Sequence, residues 1–164
     1  MAKPDLTSQQ ALAPGYRPCV GVILLNSDGL VFVGRRRDGS RAAWQLPQGG
    51  IDDGEKLLDA GRRELWEETG VRKARLIAES RDWHRYDLPQ ELIGNLWKGR
   101  FRGQVQKWLV MAFDGDDSEI DLNAHEPEFD AWRWVPMGEL PALAVSFKRE
   151  IYTHLSVEFA QLGR

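Results

Sequence analysis

The chain has 164 residues, 42% of them hydrophobic and seven of them tryptophan, which suits one folded domain with a sizeable core and excludes a disordered, highly charged segment. Its net charge of −3 gives no global attraction for a polyanion, and a single cysteine, Cys19, excludes an intramolecular disulfide and suits a reducing compartment. No stretch approaches 18 apolar residues and the first fifteen hold no continuous apolar segment, so neither a membrane span nor a signal peptide is expected and the location expected is cytoplasmic.

In chain order, residues 1–15 are polar with two prolines and read as a flexible leader, followed by a single domain over residues 16–164. Cys19 to Leu25 and Leu30 to Arg35 read as strands joined by Asn26-Ser27-Asp28-Gly29, a hairpin signal. Trp44-Gln45-Leu46 then leads through Pro47-Gln48-Gly49-Gly50 to a helix from about Glu55 to Thr69, with Gly70 suited to the left-handed position past its end. Arg75 to Ser80, Gln104 to Phe113 and Ala131 to Val135 read as strands, with an acidic loop from Asp114 to Glu128. A last helix is expected from Ser146, its candidate cap, with Phe147, Ile151, Leu155 and Phe159 along one stripe. Strands mixed with two main helices suit an α+β or an α/β/α sandwich, with a mixed β-sheet flanked by helices. Cys19 sits in an apolar run and reads as a buried, inert thiol.

The chemistry is concentrated in the first of those helices. Glu64, Glu67 and Glu68 fall at i, i+3 and i+4 and so share one face, where three like charges repel. A hard divalent cation, Mg2+ or Mn2+, is the economical neutraliser, since it takes oxygen ligands and keeps positions open for a phosphate-bearing substrate. Leu58, Gly61 and Leu65 form an apolar stripe beside that face, so one side packs on a core while its neighbour faces a cleft. Arg63, one turn before Glu67, can hold that carboxylate in a ligating pose. Each glutamate alone fits an ordinary solvated helix. The whole pattern does not, because seven fixed identities at about 6% usage each give a chance match on the order of one in a million or less.

The run Gly49-x5-Glu55-x7-Arg63-Glu64-Leu65-x-Glu67-Glu68-x-Gly70-Val71 resembles the Nudix box at every fixed position. The resemblance implies an α/β/α sandwich and a hydrolase acting on a nucleoside diphosphate linked to another moiety. Further segments extend it over most of Gly15 to Phe159: Gly15-Tyr16-Arg17-Pro18, Trp44-Gln45-Leu46-Pro47-Gln48, Tyr86-Asp87-Leu88-Pro89, Gln104-x-Gln106-Lys107-Trp108, Pro127-Glu128-Phe129-Asp130 with Trp132-Arg133-Trp134, and Val145-Ser146-Phe147-Lys148-Arg149. These are similar to the RNA pyrophosphohydrolase branch, which overlaps with dinucleoside polyphosphate hydrolases. The chain departs from commoner relatives at Leu46 and around Ala43.

That branch implies conversion of a 5′-triphosphate RNA end to a monophosphate with release of pyrophosphate, promoting mRNA decay; a dinucleoside polyphosphate is the alternative substrate. By position, Arg17, Arg36 and Lys148 would hold phosphates, and Val145 and Phe147 would flank the 5′ base. Glu128 resembles a fourth metal carboxylate, joining Glu64, Glu67, Glu68 and Gly49 in the metal set. Arg63, Glu64, Glu67 and Glu68 would be the catalytic group, with Glu64 as base and Glu55 orienting the loop. Between Arg81 and Lys107 six basic residues stand against three acidic ones, interleaved with Trp83, Tyr86, Trp97 and Phe101 and followed by Trp108; cations beside aromatic faces suit a nucleotide or an RNA end. His84, His125 and His154 show no metal-ligand spacing and none is assigned to catalysis. No Ser-His-Asp or Cys-His arrangement is evident, so no covalent intermediate is expected. A non-catalytic nucleotide- or RNA-binding module would be favoured by loss of a box carboxylate, and all are present. Protein partners cannot be named from the residues.

Overall fold

The structure, a computed structural model, describes residues 15–37, 43–93 and 100–163. The expected leader other than Gly15, most of the loop before Ala43, and Trp97 lie outside the described residues. Among the described residues, eight strands form one mixed sheet: β1 (Tyr16–Leu25), β2 (Val31–Arg36), β3 (Trp44–Gln45), β4 (Gln48–Gly50), β5 (Ala74–Glu79), β6 (His84–Asp87), β7 (Gly103–Phe113) and β8 (Phe129–Val135). The helices are α1 (Leu57–Thr69), the short α2 (Leu140–Leu143) and α3 (Arg149–Glu158). Among the described residues no helix is long and apolar enough to cross a membrane.

β1 is the central strand. It runs parallel to β7 in unbroken register from Tyr16 opposite Gly103 to Leu25 opposite Ala112, and antiparallel to β2 and β4. Its side chains alternate between two cores, as a strand buried on both faces requires. Val20, Val22 and Leu24 join Ala60 and Leu65 of α1 in one, while Ile23 and Leu25 join Leu140, Ile151, Tyr152 and Leu155 in the other. The result is the expected α/β/α sandwich. Cys19 is fully buried, and burial pushes its thiol up to about 12, so it packs as a small apolar group.

Turn chemistry follows the sequence closely at the hairpin and at the end of α1. Asn26 accepts through Oδ1 from the N–H groups of Asp28 and Leu30, and Gly29 takes a positive φ of 76°. Gly70 caps α1 at φ 77°, its N–H bonding the Trp66 carbonyl. The start of α1 differs from expectation by two residues. Glu55 does not enter the helix, because its carboxylate accepts from the Asp52 N–H and from Arg63 and so closes the preceding loop.

The last helix also begins later than expected. Ser146 to Lys148 form a single 3₁₀ turn, α3 starts at Arg149, and no side chain caps it. Ser146 is exposed and Phe147 lies in the turn rather than on the helix. One bond then joins the outer layer to the segment before the box: the Leu46 N–H donates to the Tyr152 hydroxyl at 2.9 Å, with Tyr152 at 2% exposure. Removing that acceptor strands a buried N–H, so Tyr152→Phe is expected to cost about 1–3 kcal/mol, read as a lowered urea midpoint at unchanged slope.

Candidate active site

The acidic face of α1 meets β4 edge on. Glu64 and Glu68 are buried at 8% and 6% exposure, and Glu67 is half-buried. Glu68 Oε2 accepts from the Gln48 N–H at 2.9 Å. Gly49 lies against Glu64 so closely that an added Cβ would sit 2.2 Å from the carboxyl carbon, and a Cβ on Gly50 would sit 2.5 Å from an Arg17 guanidinium nitrogen. At both positions glycine allows a close approach rather than a turn: a side chain there would have to displace the Glu64 carboxylate or the Arg17 guanidinium.

Arg63 organises this face. Its Nε and Nη2 form a fork on Glu55 at 2.9 Å each, Nη2 also donates to the Gly50 carbonyl at 2.8 Å, and Nη1 donates to Glu64 at 2.8 Å and to Glu67 at 3.4 Å. The pairing with Glu67 expected from the sequence is thus the longest of its hydrogen bonds, and a looser ion contact reaches Asp52 at 3.8 Å. Glu55 in turn is held below the usual carboxylate range, chiefly by its bond from Arg63.

Burial raises the proton affinity of Glu64, with Glu67 adding to the effect, and raises that of Glu68 strongly, with the charges of Glu64 and Glu128 adding to it. Glu128, exposed at the start of β8, is therefore electrostatically coupled to the box although it lies far along the chain. Among the described residues no three acidic or histidine side chains are gathered closely enough to enclose an ion as they stand; Arg63 occupies part of the space between Glu55, Glu64 and Glu67. The donor set is nevertheless all oxygen and rich in carboxylates, with the Gly49 backbone pressed against Glu64. It fits a hard divalent cation.

A cationic wall faces these acids. Lys148 is 6% exposed, and burial pulls its ammonium down to about 8, with Arg36 pushing the same way and Glu68 opposing. Its Nζ lies 5.9 Å from the Tyr86 ring, which packs at 5.4 Å against Phe147. Arg17 reaches Gly50 and draws the Glu64 carboxyl downward. Val145 is half-buried at the head of the 3₁₀ turn. Phe147 is partly buried against the α3 core.

Among the described residues, the basic and aromatic window is divided between the core and the two faces of the sheet. Trp108 is fully buried and Tyr86 is 8% exposed, while Arg85 and Arg102 stack over Tyr16 at 4.9 and 5.7 Å. Register places Tyr86 on the Lys148 side of the sheet and Arg85 on the opposite face. His125, given no role from the sequence, has Nε2 3.9 Å from Glu67 Oε1 and its ring 5.8 Å from Trp66. His84 lies 5.9 Å from His154, ring to ring, with its Nε2 buried and unpartnered. The bonded glutamines Gln48, Gln104 and Gln106 carried no sequence signal beyond their place in the resembling segments.

A sequence model described as NUDIX domain matches residues 15–155. An RNA pyrophosphohydrolase of Novosphingobium aromaticivorans is 59% identical over 151 residues, covering 90% of this chain and 94% of that one. One of Rhizobium meliloti is 53% identical over 160 residues, covering 91% and 96%. Among solved structures, the E. coli dihydroneopterin triphosphate pyrophosphohydrolase superposes with a TM-score of 0.67 at 20% identity, covering 87% and 98%. A C. elegans Ap4A hydrolase binary complex gives 0.64 at 16%, covering 88% and 98%. At such identities these two bear on the fold alone. The acidic helix face, the glycine loop pressed against it and the match across the chain together place this protein in the Nudix hydrolase family.

Proposed function

We propose that the protein is a metal-dependent RNA 5′ pyrophosphohydrolase, cutting 5′-triphosphate RNA ends to monophosphates with release of pyrophosphate and thereby promoting mRNA decay in the cytoplasm, with residues 16–164 acting as a single domain. The observation that carries this reading is the buried Lys148 ammonium facing the buried acids of α1. A polyphosphate chain needs both walls, one to hold cations and one to hold phosphate oxygens directly. Relatives sharing 59% and 53% of their residues bear the corresponding name.

Glu64, Glu67, Glu68 and Glu128, with the Gly49 backbone, would hold Mg2+ or Mn2+, which when bound neutralises phosphate charge, lowers the pKa of its water and stabilises the leaving pyrophosphate. Arg17 and Arg36 offer forked donors to phosphate, and Lys148 a point charge. Val145 and Phe147 would flank the 5′ base. Glu64 is assigned as general base: Arg63 engages its Oε1, which leaves Oε2 to receive the proton from the attacking water. Arg63 aligns the acids, and Glu55 fixes Arg63.

Three measurements test this. With purified protein and Mg2+, kcat/KM for 5′-triphosphorylated RNA should exceed that for diadenosine tetraphosphate; the reverse preference selects the dinucleoside polyphosphate alternative. Glu67→Gln should lower turnover by roughly 100-fold or more while leaving circular dichroism and thermal unfolding unchanged, and an active, metal-responsive variant would overturn the metal assignment.

The third concerns Lys148. Its folded value of about 8 lies below the ordinary 10.5, so between those values the unfolded chain binds more protons and stability from this group rises with pH. Lys148→Met should abolish that rise, measured as the change in urea midpoint between pH 7.5 and 10, and should raise KM for the triphosphorylated RNA.

A further inference from the structure

Trp108 is fully buried, and its ring lies where only a glycine can face it: a Cβ on Gly21 would sit 2.2 Å from the ring. Its indole Nε1 donates to Gln106 Oε1 at 3.1 Å. An indole N–H can only donate, which settles the orientation of an amide whose two ends otherwise look alike. Gln106, 1% exposed, must turn its oxygen to Trp108 and its NH2 group the other way. That NH2 group donates to Gln48 Oε1 at 3.0 Å and to Gln104 Oε1 at 2.7 Å. Both further carboxamides are thereby set with oxygen toward Gln106, and their own NH2 groups face away from it.

Register shows where those donors lie. Gln104 stands between Arg17 and Tyr86 across neighbouring strands, and Gln106 between Cys19 and His84. Directly opposed residues share a face, so the glutamines line the same side of the sheet as Arg17 and the Tyr86 ring beside Lys148. Gln48 also gives its backbone N–H to Glu68. It therefore stands at the junction of the acidic and cationic walls.

We propose that Trp108, acting through Gln106, fixes Gln48 and Gln104 as a pair of neutral donors for phosphate oxygens of the bound polyphosphate. The inference rests on the polyphosphate reading above and adds two ligand-contacting residues and two positioning residues to it. Neutral donors complement the cations in a specific way. They give direction to the bound chain without adding charge beside Lys148, whose ammonium is already disfavoured by burial and by Arg36. An unfixed amide could turn its oxygen toward phosphate and repel it. The indole removes that choice.

The test uses the full chain, labelled with 15N and loaded with Mg2+, titrated with inorganic pyrophosphate and followed by NMR. The side-chain NH2 resonances of Gln48 and Gln104 should shift on binding, while the Trp108 indole and the Gln106 NH2 group stay in place. Gln48 and Gln104 unmoved at saturating pyrophosphate would overturn the proposal. In parallel, Gln106→Glu replaces the donor by a group that only accepts, so both neighbours should rotate their NH2 groups toward it. KM for 5′-triphosphorylated RNA should then rise roughly tenfold or more, with a smaller change in kcat; a KM equal to that of the unmodified protein would count against the relay. Wild-type turnover of the RNA separates the two readings. If no pyrophosphate is released but both glutamines respond to pyrophosphate, the RNA assignment falls and the donor pair stands.

Discussion

Arg63 sits within the acidic face of α1, and the geometry of the site depends on it. Two carboxylates at 8% and 6% exposure on adjacent helical positions would otherwise relieve their repulsion by taking up protons. The guanidinium opposes this at Glu64, although burial still wins there, while its other nitrogens grip Glu55 and the Gly50 carbonyl. Helix, preceding loop and strand β4 are thus tied at one point before any ion arrives. Of its hydrogen bonds to box carboxylates, the one to Glu67 is the longest, at 3.4 Å, so Glu67 is the box acid that leaves Arg63 at least cost. A metal ion bound as proposed would compete with Arg63 for this face, and Glu67 is where that competition would be weakest.

That arrangement explains which parts of the protein were legible in the sequence. The box could be read because its logic is local: helical spacing alone puts Glu64, Glu67 and Glu68 together, and Gly70 announces the helix end. Burial was less visible. Lys148 reads as a point charge for phosphate, and nothing near it in sequence says that it is 6% exposed. That follows from Tyr86 and Arg36, which reach it from other strands. Trp108 illustrates the same limit. A tryptophan offers one apolar surface to a base or to a core, and the residue that decides is Gly21, brought opposite it by the parallel pairing of β1 with β7. Ser146 misled for a different reason: it has capping chemistry, but the chain makes a 3₁₀ turn first and α3 begins uncapped.

The segment from Leu46 to Gly50 accounts for how the two walls of the site keep their separation. Leu46 is bonded to Tyr152 in the outer helical layer. Gln48 is bonded through its side chain to Gln106 on the sheet and through its N–H to Glu68 on α1. Gly49 abuts Glu64, and Gly50 lies between Arg63 and Arg17. Successive residues of one short run are therefore anchored to different layers, and β4 is the seam where those layers meet. The acids that would hold metal come mainly from one layer, while Lys148 and Phe147 come from the other. A fold built this way could change its substrate by altering the second layer and leave the acidic face of the first intact. The seam carries the constraint that both layers share: a residue larger than glycine at position 49 would displace Glu64 whatever substrate the opposite wall had come to hold.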